Sequence, residues 1–288
     1  MKLSTLTPER FRVATEQGSL AGLHWANRAK PPLLFCHATG FCASTYKQML
    51  GQLSNQFDVY AIDLRGHGQT DLPTSPDKLK SWHIYANDIS AFLDNKNIEG
   101  WTIAGHSMGA VTAVIASEGR SDVISLRLIE PVAVPSIMNL AARTPIWAQL
   151  KDRMPMVQKA AKRRSHWENR EAVISSYERK SLFRGWAPGV LHDYLEDGLV
   201  ESPRGVSLAC SPAWEAATFG AQANRFWPAV AALADNISVF AASHVTSTVS
   251  PFARAQLSRL VASVQLGRGV SHLAPMEQPD EMAAFLRK

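Results

Sequence analysis

The chain has 288 residues, 46% of them hydrophobic and 19% charged, enough apolar material for one large α/β domain or two small ones. A formal net charge of +5 without long single-sign runs argues against a disordered tail or a dedicated nucleic-acid binder. No apolar stretch approaches the roughly 20 residues that span a bilayer, Met1 to Arg12 lack the apolar run of a signal peptide, and Cys36, Cys42 and Cys210 form no CxxC pair. A cytoplasmic protein in a reducing compartment, with no membrane or nucleic-acid partner, is expected.

Residues 11–17 and 20–26 alternate as two strands around Gly18, which predicts an antiparallel hairpin. Short, largely apolar runs follow at 33–36, 59–64, 101–104 and 126–129, a pattern that suits parallel strands buried on both faces. Between them, Trp82, Tyr85, Ile89, Phe92 and Leu93 recur at helical spacing and predict a helix over 81–95. After Pro131 the alternation stops for about 100 residues, and strand character returns only at 237–242 and 264–266. A closing helix starts at Pro279, with acidic residues in its first turn. The fold class is therefore α/β, with a mostly parallel sheet flanked by helices. A core of 1–134 and 236–288 is interrupted, after the sixth strand, by a mainly helical cap over 135–235. That insertion holds five of the eight tryptophans (Trp147, Trp167, Trp186, Trp214, Trp227). Its aromatics either line a pocket or simply pack, and its basic stretch, 143–184, reads as a solvated helix face rather than an anion-steering surface.

The sharpest chemical signal is Gly105-His106-Ser107-Met108-Gly109, set between the strand 101–104 and a small-residue helix over 110–117. A nucleophile on so tight a strand-to-helix turn needs a strained backbone, and glycines two residues either side remove side chains that would collide with neighbouring backbone. The helix N-terminus then favours negative charge beside the serine oxygen. Upstream stand Asp63-Leu64-Arg65-Gly66-His67-Gly68 at a strand end and His37-Ala38-Thr39-Gly40 after the strand 33–36.

Together these motifs resemble the α/β-hydrolase superfamily, in its lidded serine hydrolase and esterase branch, over nearly the whole chain. The resemblance implies that the backbone N–H groups of Thr39 and Met108 face a developing oxyanion, with Ala38 in place of the family's usual glycine. It also places the general base in a loop before the C-terminal helix, where Ser271-His272-Leu273-Ala274-Pro275 selects His272 from nine histidines. His106 is expected to point into the fold and His37 and His67 to be structural, while His24, His83, His166 and His192 have no motif support. The family's common acid position, after the strand 237–242, holds 243–248 without a carboxylate, and Asp235 lies at the wrong end of the sheet. Some members carry the acid after the preceding strand, which points to Glu130 as the third member of the triad. The competing reading has Glu130 tethering the hinge at Pro131 while Ser247 or a water orients His272.

A serine rather than an aspartate at the elbow disfavours epoxide opening and halide displacement. No P-loop, dinucleotide fingerprint or metal-ligand cluster is present, so neither cofactor nor metal is expected. The leading expectation is hydrolysis of a small-molecule carboxylic ester or lactone. Carbon–carbon bond hydrolysis, a lyase or cofactor-free oxygenase on the same scaffold, and a ligand receptor with a residual triad are the rivals.

Overall fold

In the computed structural model, which describes residues 6–288, eight strands form one sheet and three more form a second. The strands are β1 (Glu9–Thr15), β2 (Gly18–Trp25), β3 (Pro32–Cys36), β4 (Asp58–Ile62), β5 (Trp101–His106), β6 (Val123–Ile129), β7 (His166–Trp167), β8 (Leu199–Ser202), β9 (Gly205–Leu208), β10 (Ile237–Ala242) and β11 (Ser263–Gly267). The large sheet runs β1-β2-β4-β3-β5-β6-β10-β11. The β1–β2 hairpin pairs antiparallel to β4, and every pairing from β4 onward is parallel.

Side chains alternate across each strand, so the apolar runs of the central strands feed both faces of the sheet. Leu34 and Cys36 of β3, with Tyr60 and Ile62 of β4, pack beneath the helices His83–Lys96 and Met108–Ser117. Leu33, Phe35, Val59 and Ala61 meet the opposite layer, which includes the C-terminal helix Pro279–Leu286. β3 and β4 are buried at every position. Burying each large aliphatic or aromatic side chain of this kind contributes about 1.5–3 kcal/mol. The helix His83–Lys96 stops where Asn97 turns left-handed (φ 48°) and donates its N–H back to the Leu93 carbonyl.

Between β6 and β10 the chain is helical for the most part, including Pro155–Ala161, Arg170–Glu178, Val190–Asp197 and Pro212–Gly220. It also builds a small antiparallel sheet in the order β7-β9-β8. The expectation that strand character is lost until residue 237 is therefore corrected. These strands are only two to four residues long, too short to show a period of two, and their pairing depends on the Pro203-Arg204 turn and on β7 returning from a distance. Two tryptophans bind this segment to the core. Trp214 Nε1 donates to the Arg65 carbonyl at 2.9 Å, and Trp82 Nε1 donates to the Thr218 carbonyl at 2.9 Å. Among the described residues no helix is long and apolar enough to cross a membrane.

Candidate active site

Ser107 sits between the end of β5 and the helix Met108–Ser117, with φ 57° and ψ −117°. This backbone conformation is costly for a side-chain-bearing residue, on the order of 1–3 kcal/mol, and it persists because the surroundings leave no alternative. A Cβ on Gly105 would lie 2.5 Å from the Gly109 carbonyl carbon, and one on Gly109 would lie 2.2 Å from the Cys36 carbonyl oxygen. The Ser107 N–H is anchored to the Ile129 carbonyl of neighbouring β6 at 3.0 Å. The outcome is a hydroxyl projected above the sheet at a helix start.

His272 lies in the loop between β11 and the short helix Ala274–Glu277. Its Nε2 is 3.0 Å from Ser107 Oγ, and its Nδ1 is 3.0 Å from Glu130 Oε2. The loop is braced internally, since Glu277 Oε2 accepts the Ser271 N–H at 2.8 Å and Ser271 Oγ accepts the Leu273 N–H at 3.0 Å.

Glu130 follows β6 directly, in a left-handed conformation (φ 49°), with its side chain fully buried. Its own N–H continues the sheet by donating to the Phe240 carbonyl at 2.8 Å. The carboxylate Oε1 accepts the Ala242 N–H at 2.6 Å and the Ser247 hydroxyl at 2.8 Å. Oε2 accepts the Thr248 N–H at 3.0 Å and faces His272 Nδ1. Four donors converge on two oxygens, the complement an ionised carboxylate can accept without water. The loop after β10 thus contributes donors to the Glu130 carboxylate. Ser247 reaches Glu130 rather than the imidazole, while Thr248 Oγ1 donates to the Glu130 carbonyl at 2.8 Å and lies 3.3 Å from His272 Nδ1.

Thr39 and Met108 meet on the other side of the serine, where the Thr39 hydroxyl donates to Met108 Sδ at 3.4 Å. Neither donates its backbone N–H to an acceptor among the described residues. The loop carrying Thr39 is held from below by neutral histidines. Gly40 N–H donates to His67 Nε2 at 3.0 Å, and Leu64 N–H donates to His37 Nε2 at 2.9 Å. Burial pushes His67 down to about 4 and His37 well below its ordinary 6.5, which keeps these nitrogens available as acceptors. Asp63 accepts the N–H groups of Ala43 and Gln69 at 2.7 and 2.9 Å, so the strand-end motif acts as a backbone clamp.

Arg163 departs from the expected solvated face. It donates to both Glu215 oxygens and to the hydroxyls of Tyr177 and Tyr194, all at 3.0 Å. This cluster lies directly against the loop of Thr39, because a Cβ on Gly40 would be 2.6 Å from Glu215 Oε1. Nothing in the sequence marks Arg163 apart from its basic neighbours. Trp186 lies nearby, its ring centroid 5.8 Å from that of Phe41, and the next residue, Ala187, donates its N–H to Met276 after the His272 loop. Trp147 and Trp214 instead donate their indole N–H groups to the carbonyls of Gly220 and Arg65.

Comparisons with known proteins agree with this arrangement of elements. Over 83 residues, 29% of this chain and 30% of the relative, it is 30% identical to a 3-oxoadipate enol-lactonase of Acinetobacter baylyi. Over 108 residues, 36% of this chain and 38% of the relative, it is 33% identical to a karrikin insensitive 2 receptor of Petunia hybrida. The chain thus spans about a quarter to under half of the length of these curated relatives. Among solved structures, an E-2-(acetamidomethylene)succinate hydrolase superposes with a TM-score of 0.78 at 21% identity, covering 96% of this chain and 97% of that one. The model of the alpha/beta hydrolase family matches residues 33–285, and the chain belongs to that family.

Proposed function

We propose that the protein is a serine hydrolase of small or medium, partly apolar carboxylic esters or lactones, acting through an acyl-enzyme on Ser107. The single observation that carries this reading is the line Ser107 Oγ, His272 Nε2, His272 Nδ1, Glu130 Oε2, with both gaps at 3.0 Å.

In this reading His272 Nε2 takes the hydroxyl proton as Ser107 Oγ attacks the ester carbonyl carbon. Glu130 fixes the Nδ1–H tautomer and stabilises the imidazolium as it forms. The N–H groups of Thr39 and Met108 take the developing oxyanion, each such donor being worth about 3 kcal/mol in the transition state. The tetrahedral intermediate collapses, His272 returns its proton to the departing alkoxide, and the alcohol leaves. Water then attacks the acyl-enzyme with His272 again as base, releasing the acid and restoring Ser107. Residues 135–235 act as a lid whose Trp186 borders the acyl pocket, consistent with its place between the Thr39 and His272 loops.

The test is turnover of short p-nitrophenyl esters by Ser107→Ala. A loss of kcat by at least ~10⁴-fold with an unchanged melting temperature is expected. Near wild-type turnover in that variant would overturn the mechanism, and stoichiometric ligand binding by a wild type without turnover would favour a receptor.

A further inference from the structure

His106, inside the elbow, takes no part in the chemistry above, yet both of its ring nitrogens are engaged. Nε2 lies 2.8 Å from the backbone carbonyl oxygen of His272, and a carbonyl can only accept, so this nitrogen carries the proton. Nδ1 of a neutral ring is then an acceptor, and the Tyr46 hydroxyl donates to it at 2.8 Å. The Tyr46 oxygen in turn accepts the N–H of Ala38 at 3.1 Å. Every bond therefore points the same way, from Ala38 through Tyr46 and His106 to His272. The chain starts one residue before Thr39, passes through the residue before Ser107 and ends on the backbone of the base.

Simple packing does not account for this arrangement. An apolar side chain would fill the space, whereas here each polar atom of two buried rings meets a partner of the right sense. The His106 ring centroid is 5.0 Å from that of His272, where a second cation would oppose the imidazolium formed during the reaction. Burial, and then His272 itself, hold His106 well below 6.5, so it stays neutral and its direction of donation does not reverse.

We propose that His106 and Tyr46 are positioning residues that set the spacing of the base and the oxyanion loop about the nucleophile. The proposal rests on the acyl-enzyme reading of Ser107 and His272 and extends it to two side chains that touch no substrate. Tyr46→Phe keeps the ring but leaves Ala38 N–H without an acceptor and His106 Nδ1 without its donor, which frees the imidazole to change tautomer.

The experiment measures kcat and KM on p-nitrophenyl acetate, and the rate of Ser107 labelling by a fluorophosphonate. The variants are Tyr46→Phe, His106→Gln, His106→Leu and the double variant His106→Leu/Tyr46→Phe. Tyr46→Phe should lower kcat and the labelling rate by roughly 10- to 100-fold with KM within about twofold, the scale expected when reacting groups are misplaced by an ångström or less. His106→Gln keeps a donor for the His272 carbonyl and should retain several times the activity of His106→Leu at equal melting temperature. The double variant should be no slower than its slower parent, because both changes cut one chain. Wild-type kcat in Tyr46→Phe, equal activity of the Gln and Leu variants, or losses that multiply in the double variant would overturn the proposal. The acyl-enzyme reading fails differently, by a wild-type Ser107 that takes no phosphonate, and that result would remove the positioning role with it.

Discussion

The ends of β6 and β10 lie side by side, with Ile129 paired to Phe240, yet they bring opposite halves of one device to His272. The β6 end supplies a carboxylate, Glu130. The β10 end supplies no carboxylate but three donors to it, the Ala242 and Thr248 N–H groups and the Ser247 hydroxyl. In the proposed mechanism the imidazole needs a negative charge at one point in space, and both strand ends come close to it, Glu130 Oε2 lying 3.0 Å and Thr248 Oγ1 3.3 Å from His272 Nδ1. A chain that moves the carboxylate to one strand end must furnish its donors from the other, since a buried carboxylate without partners is strongly destabilising.

The largest effect that would break this division of labour is expected from Glu130→Gln. The substitution keeps shape but removes the charge and can stabilise the wrong imidazole tautomer, so kcat should fall by ~10²–10⁴-fold on a short p-nitrophenyl ester. Adding Ser247→Asp in that background returns a charge from the β10 side and should recover part of the loss in kcat. No recovery, with the fold intact, would mean that the acid can act from β6 alone. The smallest effect belongs to Ser247→Ala, which deletes one of the donors to Oε1. A stability loss of about 1–2 kcal/mol and a kcat reduced only a few-fold are expected, read from denaturant melts and steady-state rates. A loss as large as that of Glu130→Gln would instead make Ser247 a direct partner of the base.

The same contrast explains how much was legible in the sequence. The Ser107 elbow was readable because its constraint is local: Gly105 and Gly109 stand within two residues of the strained position, and the backbone they touch admits no side chain. The parallel sheet was readable for a similar reason, since β3 to β6 declare themselves by apolar runs. Glu130 could be placed at a strand end, but its distance from His272, 142 residues along the chain, is set by how β6, β10 and β11 pack. Its donors Ser247 and Thr248, the Tyr46–His106 chain and the Arg163–Glu215 pair were not legible, because each joins elements far apart in sequence through side chains that carry no motif. The strands β7 to β9 escaped because they are too short for any period to register.

The central claim, that Glu130 holds His272 with its proton on Nδ1 and its lone pair toward Ser107, is tested most directly by NMR of protein labelled with ¹⁵N at histidine. Wild-type protein should show His272 as the Nδ1–H tautomer, with a downfield proton shared with Glu130. Glu130→Gln should lose that resonance and show a mixed or Nε2–H tautomer, while Ser247→Ala should retain it. A His272 that carries its proton on Nε2 in the wild type, or an unchanged Nδ1–H resonance in Glu130→Gln, would contradict the account.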